Sequence, residues 1–227
     1  MIFKQVFDIK SSTYTYFIAS AKGREAVIID PVIENVDSYI KILNELDLKL
    51  VKVIDTHIHA DHVTGATKLK KATNCLRIMG EHTPADTVEI KVKDDEIIKI
   101  DQIEIKAIYT PGHTSDSYSF LMKKFLFSGD TLLINGTGRT DFQNGSSKDA
   151  YDSIFKRLLK LPSDTILYPG HDYNGKKYST IGNEIKFNPR LQVNNVDEYV
   201  ELMSNLNLAK PKLIDKNVSR NIKLGAN

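Results

Sequence analysis

The 227-residue chain has one cysteine, Cys75. That excludes an intramolecular disulfide, a Cys-x-x-Cys redox pair and a thiolate-held zinc or iron–sulfur site. Cys75 itself reads as an inert buried thiol, with no basic or helix-N-terminal neighbour to activate it. Charge of one sign is scarce as well. Lys+Arg 31 against Asp+Glu 29 leaves a net charge of +2, too small an excess to point to nucleic acid or a membrane surface as partner. No apolar run reaches the length of a bilayer-spanning helix. Met1-Ile2-Phe3-Lys4-Gln5-Val6-Phe7 enters a strand-like pattern with neither a signal-peptide core nor an Arg/Ser-rich transit bias, so the expected compartment is the cytoplasm. Low-complexity tracts and short repeats are absent too. What remains is 41% hydrophobic and 26% charged, the make-up of an ordinary globular chain. Its length suits one domain over residues 1–227, with about 190–227 a C-terminal extension packed on it.

Strand-like patterns dominate. Residues 5–9, 13–19 and 26–29 read as early strands, with Tyr14, Tyr16 and Ile18 alternating in the second. Residues 36–46 carry apolar side chains at helical spacing behind a candidate N-cap, Asn35. The β-branched run at 50–54 reads as a strand, and a helix is expected over about 61–71. Further strands are expected at 76–79, 89–92, 96–100, 103–109, 117–122, 124–128 and 165–168, with helices at 150–160 and 196–204. The Lys-rich tail from Leu208 is weakly patterned. Strands at hairpin spacing with interspersed helices fit sheets packed on each other with helices outside.

Five of the six histidines fall in one pattern. His57, His59 and His62 lie in Thr56-His57-Ile58-His59-Ala60-Asp61-His62. His113 ends Tyr109-Thr110-Pro111-Gly112-His113, and His171 ends Tyr168-Pro169-Gly170-His171. Phe125-Leu126-Phe127-Ser128-Gly129-Asp130 has the same form with a carboxylate in the last place. An apolar strand followed by a tight glycine turn projects the next side chain from a rigid edge. Four such edges bring imidazole and carboxylate donors together, and those donors suit divalent zinc, iron or manganese. A dense His/Asp cluster is otherwise self-repulsive unless something binds it. His82, outside the pattern, reads as solvated surface.

Thr56-His57-x-His59-x-Asp61-His62, Pro111-Gly112-His113-Thr114, Ser128-Gly129-Asp130 and Gly170-His171 resemble the metallo-β-lactamase superfamily over essentially the whole chain. The resemblance implies an α+β fold, an αββα sandwich with a metal site at the sheet edges. The motif does not choose among the reactions of that superfamily. Four further segments resemble its persulfide dioxygenase branch: Ile58-His59-Ala60-Asp61-His62-Val63-Thr64-Gly65, Gly136-Thr137-Gly138-Arg139-Thr140-Asp141-Phe142-Gln143, Tyr168-Pro169-Gly170-His171-Asp172-Tyr173 and Asn188-Pro189-Arg190-Leu191. The tail around Met203–Leu208 and Lys210-Pro211 is similar as well. A counterpart of the longer C-terminal helical domain of glyoxalase II is not expected.

What that branch implies is one Fe(II) per chain on His57, His113 and Asp130, a facial arrangement that leaves positions open for substrate sulfur and O2. Glutathione persulfide would be oxidised to sulfite and glutathione, with hydrogen sulfide detoxification as the setting. His59, Asp61, His62 and His171 would orient the ligands and bound water. In dinuclear relatives their counterparts complete two metal sites, so a zinc hydrolase of a glutathione thioester or similar small ester is the alternative. For the substrate, Arg139 and Arg190 are candidates to hold glutathione carboxylates through bidentate forks. The competing readings are an Arg139–Asp141 ion pair and a surface charge at Arg190. Tyr173 is a candidate to donate its phenol to the persulfide or to Asp130, against half-buried packing. Thr137 stands where some relatives have Cys. A rhodanese-type sulfurtransferase would be a separate protein, and a homodimer is left open.

Overall fold

The computed structural model describes residues 1–210 and 213–226, so Pro211 of the tail motif lies outside the described residues. Two six-stranded sheets face each other. The first runs in chain order: β1 (Ile2–Asp8), β2 (Thr13–Ala19), β3 (Glu25–Ile29), β4 (Lys49–Ile54), β5 (Leu76–Gly80) and β6 (Ile90–Val92). Its first three strands are antiparallel and the rest parallel. The parallel part is crossed by α1 (Val36–Glu45) and α2 (Ala66–Thr73). The second sheet is built from β7 (Ile97–Ile100), β8 (Ile103–Tyr109), β9 (Tyr118–Met122), β10 (Phe125–Phe127), a short ribbon β11 (Leu132–Leu133) and β12 (Gly136–Thr137) beside it, then β13 (Ile166–Tyr168) and β14 (Ser179–Thr180). Its order is β14-β13-β10-β9-β8-β7. The helices α3 (Ser147–Tyr151), α4 (Ile181–Phe187), α5 (Val196–Ser204) and α6 (Ile214–Asn221) come from the second half of the chain.

Period-2 alternation explains the layering. On β2, Tyr14, Tyr16 and Ile18 join the core between the sheets with Ile105, Phe120 and Phe127, while Phe17 and Ala19 join the layer under α1 and α2. Leu126 and Leu167 face the opposite way, onto a third cluster with Ile154, Ile181 and Tyr199. Helices thus cover both outer faces, and the αββα sandwich expected from the sequence is the fold. Among the described residues no helix is long and apolar enough to cross a membrane.

Two expectations need correction. The helix expected from about residue 61 begins only at Ala66, because residues 61–65 follow a path dictated by the histidine cluster and by contacts to other segments. Gly65 N donates to Pro31 O at 2.7 Å and Val63 O accepts from Ile33 N. The weakly patterned tail contains α6, whose buried side, Ile214, Asn217 and Asn221, is largely polar and therefore invisible to hydrophobic periodicity. Cys75 is buried as expected, and burial raises its thiol pKa.

Candidate metal centre

The expected supports all end at one edge of the sandwich. The loop after β4 carries His57, His59, Asp61 and His62; the turns after β8, β10 and β13 deliver His113, Asp130 and His171. Gly170 shows why the turn sequences matter: a Cβ there would lie 2.6 Å from Asp130 Oδ1 and 3.1 Å from the Gly129 backbone. Only glycine lets these two turns approach so closely.

Donor atoms of His57, His113 and Asp130 lie within 4.8 Å of one another, and those of His59, Asp61 and His62 form a second such group. His171 joins the two, with Nε2 3.5 Å from Asp130 Oδ1 and 3.6 Å from Asp61 Oδ2. Each histidine is oriented by its other ring nitrogen. His57 Nδ1 meets Thr56 Oγ1 at 2.9 Å, His59 Nε2 meets Asp30 Oδ1 at 3.1 Å, His113 Nδ1 donates to Arg139 O at 2.8 Å and His171 Nδ1 to Ser12 O at 3.2 Å. That leaves His57 Nε2, His59 Nδ1, His62 Nε2 and Asp130 Oδ1 buried without a hydrogen-bond partner among the described residues. An unmet buried polar atom costs about 1–3 kcal/mol. Four converging ones fit a cation, and imidazole with carboxylate is the donor set for a divalent transition metal.

The electrostatics agree. Burial, with neighbouring imidazoles, holds His57 and His59 well below the usual histidine range, so both stay neutral as metal ligands must. Burial works against the charge of His171 too, but Asp130 and Asp61 outweigh it and raise this histidine to about 10. Burial would raise Asp130, yet His171, His113 and His57 pull it below the usual carboxylate value. The two carboxylates therefore hold positive charge at this point, whether a proton or a bound cation supplies it.

Sequence reasoning missed the groups behind the ligands. Asp30 Oδ1 accepts from Thr56 N at 2.8 Å as well as facing His59, and its Oδ2 accepts from Thr56 Oγ1 at 3.0 Å. One buried carboxylate thus orients two histidines. Thr13 Oγ1 reaches Asp61 at 3.1 Å and His62 at 3.3 Å. Asp30 comes directly after β3, a carboxylate at the end of a buried apolar strand, and that was the available signal.

A cavity of about 550 Å³ opens beside the cluster, lined by His113, Asp130, His171, Leu133, Tyr173 and Arg190 among others. A larger groove, about 720 Å³ beside Lys99 and Lys123, includes none of the clustered residues. The two arginines differ. Arg139 is committed: Nε and Nη2 donate to the Asp141 carboxylate at 2.6 and 2.7 Å, Nη1 donates to Ala209 O at 2.7 Å, and the guanidinium lies 4.5 Å over Phe142. The ion-pair alternative is what the structure contains. Arg190 is half-buried rather than a surface charge; it donates through Nη1 to Thr137 O and has no carboxylate within 4.0 Å among the described residues. Tyr173 is 73% exposed at the rim, its ring parallel to His171 at 6.1 Å, and it makes no hydrogen bond to Asp130. His82 is exposed, stacked on Tyr109 at 4.0 Å.

Residues 9–171 match the model of the metallo-β-lactamase superfamily. The chain is similar to the mitochondrial persulfide dioxygenase ETHE1 of Mus musculus, 37% identical over 99% of this chain and 89% of the relative. It is also similar to the hydroxyacylglutathione hydrolase of Dictyostelium discoideum, 30% identical over 74% of this chain and 65% of the relative. Among solved structures, ETHE1 from Myxococcus xanthus superposes with a TM-score of 0.97 at 43% identity, covering 100% of both chains. The chain belongs to the metallo-β-lactamase superfamily, in its persulfide dioxygenase branch.

Proposed function

We propose that this chain is an Fe(II)- and O2-dependent enzyme that oxidises the sulfane sulfur of glutathione persulfide to sulfite and releases glutathione. The observation that carries the reading is the set His57, His113 and Asp130, three donors within 4.8 Å, two of which, His113 and Asp130, line a cavity that Arg190 also lines. Held by these three residues, Fe(II) would supply the O2 chemistry. The rest is the work of the chain. Asp30 and the Arg139 carbonyl keep His57, His59 and His113 in the tautomers that aim a bare nitrogen inward. His171 Nε2, between Asp61 and Asp130 at 3.6 and 3.5 Å, orients the two carboxylates. Arg190, desolvated and without a carboxylate of its own, holds a glutathione carboxylate remote from the reacting sulfur. Tyr173 at the rim donates its phenol to the persulfide. Arg139 shapes the pocket wall instead of gripping substrate.

Asp61 serves its neighbours through one oxygen: Oδ2 accepts from His62 Nδ1 at 2.7 Å and from Thr13 Oγ1 at 3.1 Å, which orients both side chains. The dinuclear zinc hydrolase remains the second reading because His59, Asp61 and His62 also cluster within 4.8 Å. We propose a cytoplasmic enzyme and read residues 1–227 as one domain, the described part of its C-terminal extension packing through Tyr199 and Met203 of the third cluster. A separate sulfurtransferase as the source of the persulfide, and a homodimer, complete the proposal. Metal analysis of protein purified without added metal tests it: iron near one per chain supports the reading, and two zinc per chain overturns it.

A further inference from the structure

The metal-bearing loop is held from the far end of the chain. Asn221, buried at the end of α6, donates through Nδ2 to His59 O and to His62 O, both at 2.8 Å, and accepts at Oδ1 from Thr64 N at 2.9 Å. Asn217, one turn earlier and also buried, donates to Ala60 O at 3.0 Å. Both carboxamides thus bind main-chain groups lying between or beside the candidate ligands. Leu224 O accepts from Thr67 Oγ1 at 2.5 Å, and the Leu224 side chain packs with Ile58. Gly225, at φ +72°, passes so close that a Cβ would stand 2.1 Å from Thr64 O. The loop makes little regular main-chain pairing of its own, because its path serves the side chains. Its carbonyls still need donors.

We propose that Asn221, assisted by Asn217, is a positioning residue of the metal centre. It fixes the backbone from His59 to Thr64 so that His59, Asp61 and His62 converge with His57, and it couples metal retention to docking of α6. An asparagine is required by chemistry: two donors and one acceptor are in use at once, and no aliphatic or acidic residue offers that combination. The inference rests on the metal-centre reading above, but on neither the identity of the metal nor the reaction.

Cobalt(II)-loaded protein gives a test that is blind to the native metal and to O2. Asn221→Asp keeps the acceptor and loses both donors; Val218→Ala trims apolar packing of the same helix against the Ile58–Leu224 cluster and removes none of its hydrogen bonds to the loop. Asn221→Asp should change the visible absorption of bound cobalt and release it to chelator about tenfold faster, the scale of lost outer-shell support. Val218→Ala should keep the wild-type spectrum and release rate, even where its metal-free form melts lower. Asn217→Ala, removing one bond, should shift release the same way by a smaller factor. A wild-type spectrum and release rate in Asn221→Asp overturns the proposal. So does an equal effect in Val218→Ala, which would make the helix a source of general stability only. If Asn221→Asp does not fold, unchanged cobalt binding in Asn217→Ala overturns it. Failure here leaves the iron reading standing, because iron content of the wild type is measured separately.

Discussion

Asp30 and His59, 29 positions apart, are joined by one hydrogen bond, Oδ1 to Nε2 at 3.1 Å, inside a site from which both side chains are cut off from water. The same carboxylate holds Thr56, and Thr56 holds His57. Asp30→Asn keeps the shape and tolerates the positive φ of 51° at this position. Its Oδ1 can still accept from Thr56 N and His59, but an NH2 donor replaces the Oδ2 acceptor of Thr56 Oγ1, which breaks the chain of bonds that sets the His57 tautomer. Metal affinity should fall about 10- to 100-fold in chelator competition, with the fold intact by circular dichroism.

The proposed ligands make a sharper demand. Asp130→Ala, His57→Ala or His113→Ala leaves two donors, too few to compete with buffer. Each should purify without iron and consume no O2. Iron at the wild-type level in Asp130→Ala would remove that residue from the ligand set.

Substrate recognition should divide between the two arginines. Arg190→Ala loses a charged hydrogen bond to substrate, about 1.5–3 kcal/mol or roughly ten- to a hundred-fold in kcat/KM. The loss should fall on KM, with iron retained, because a remote carboxylate is bound alike in ground and transition state. Arg190→Lys should recover only part, lacking the fork. Arg139→Ala should lower thermal stability instead, since its donors serve Asp141 and the Ala209 backbone. The check is a comparison of glutathione persulfide with cysteine persulfide: wild type should prefer the glutathione form and Arg190→Ala should not.

How far the sequence shows these things depends on which force shapes each segment. Residues 13–19 and 196–204 were legible to the residue, because alternation and an Asn195 cap decide them locally. That His113, Asp130 and His171 meet at one edge was legible because strand-then-glycine turns announce projected side chains; singling out His57, His113 and Asp130 as ligands rested on the family resemblance. The start of α2 was not, since Asp61 and His62 bend the chain toward partners remote in sequence. Nor was α6: Asn217 and Asn221 are buried to satisfy another segment's backbone, and hydropathy reads a buried asparagine as surface. Arg139 and Arg190 look equivalent in sequence, and only tertiary contacts tell a committed guanidinium from an available one.

One pH effect lies well away from the metal. Hydrogen bonds from Arg77 outweigh burial and hold Glu89 down to about 2, against a usual 4.5. The unfolded chain regains the usual value, so the stabilisation is complete above about pH 4.5 and is lost as pH falls through 2. Glu89 is an exposed residue with its side chain 24% accessible, so screening trims its worth. Glu89→Gln should cost about 1–2 kcal/mol at pH 7, and the gap to wild type should shrink steadily in urea melts taken toward pH 2–3.

Oxygen consumption tests the central claim most directly. Wild-type protein given glutathione persulfide in an oxygen electrode should take up about one O2 per persulfide, release sulfite in step, and stop when the vessel is made anaerobic; the electron count of sulfane sulfur going to sulfite sets that ratio. S-lactoylglutathione should be a poor substrate under either condition. Rapid anaerobic hydrolysis of the thioester, with no O2 uptake on persulfide, would contradict the account and make the enzyme a hydrolase.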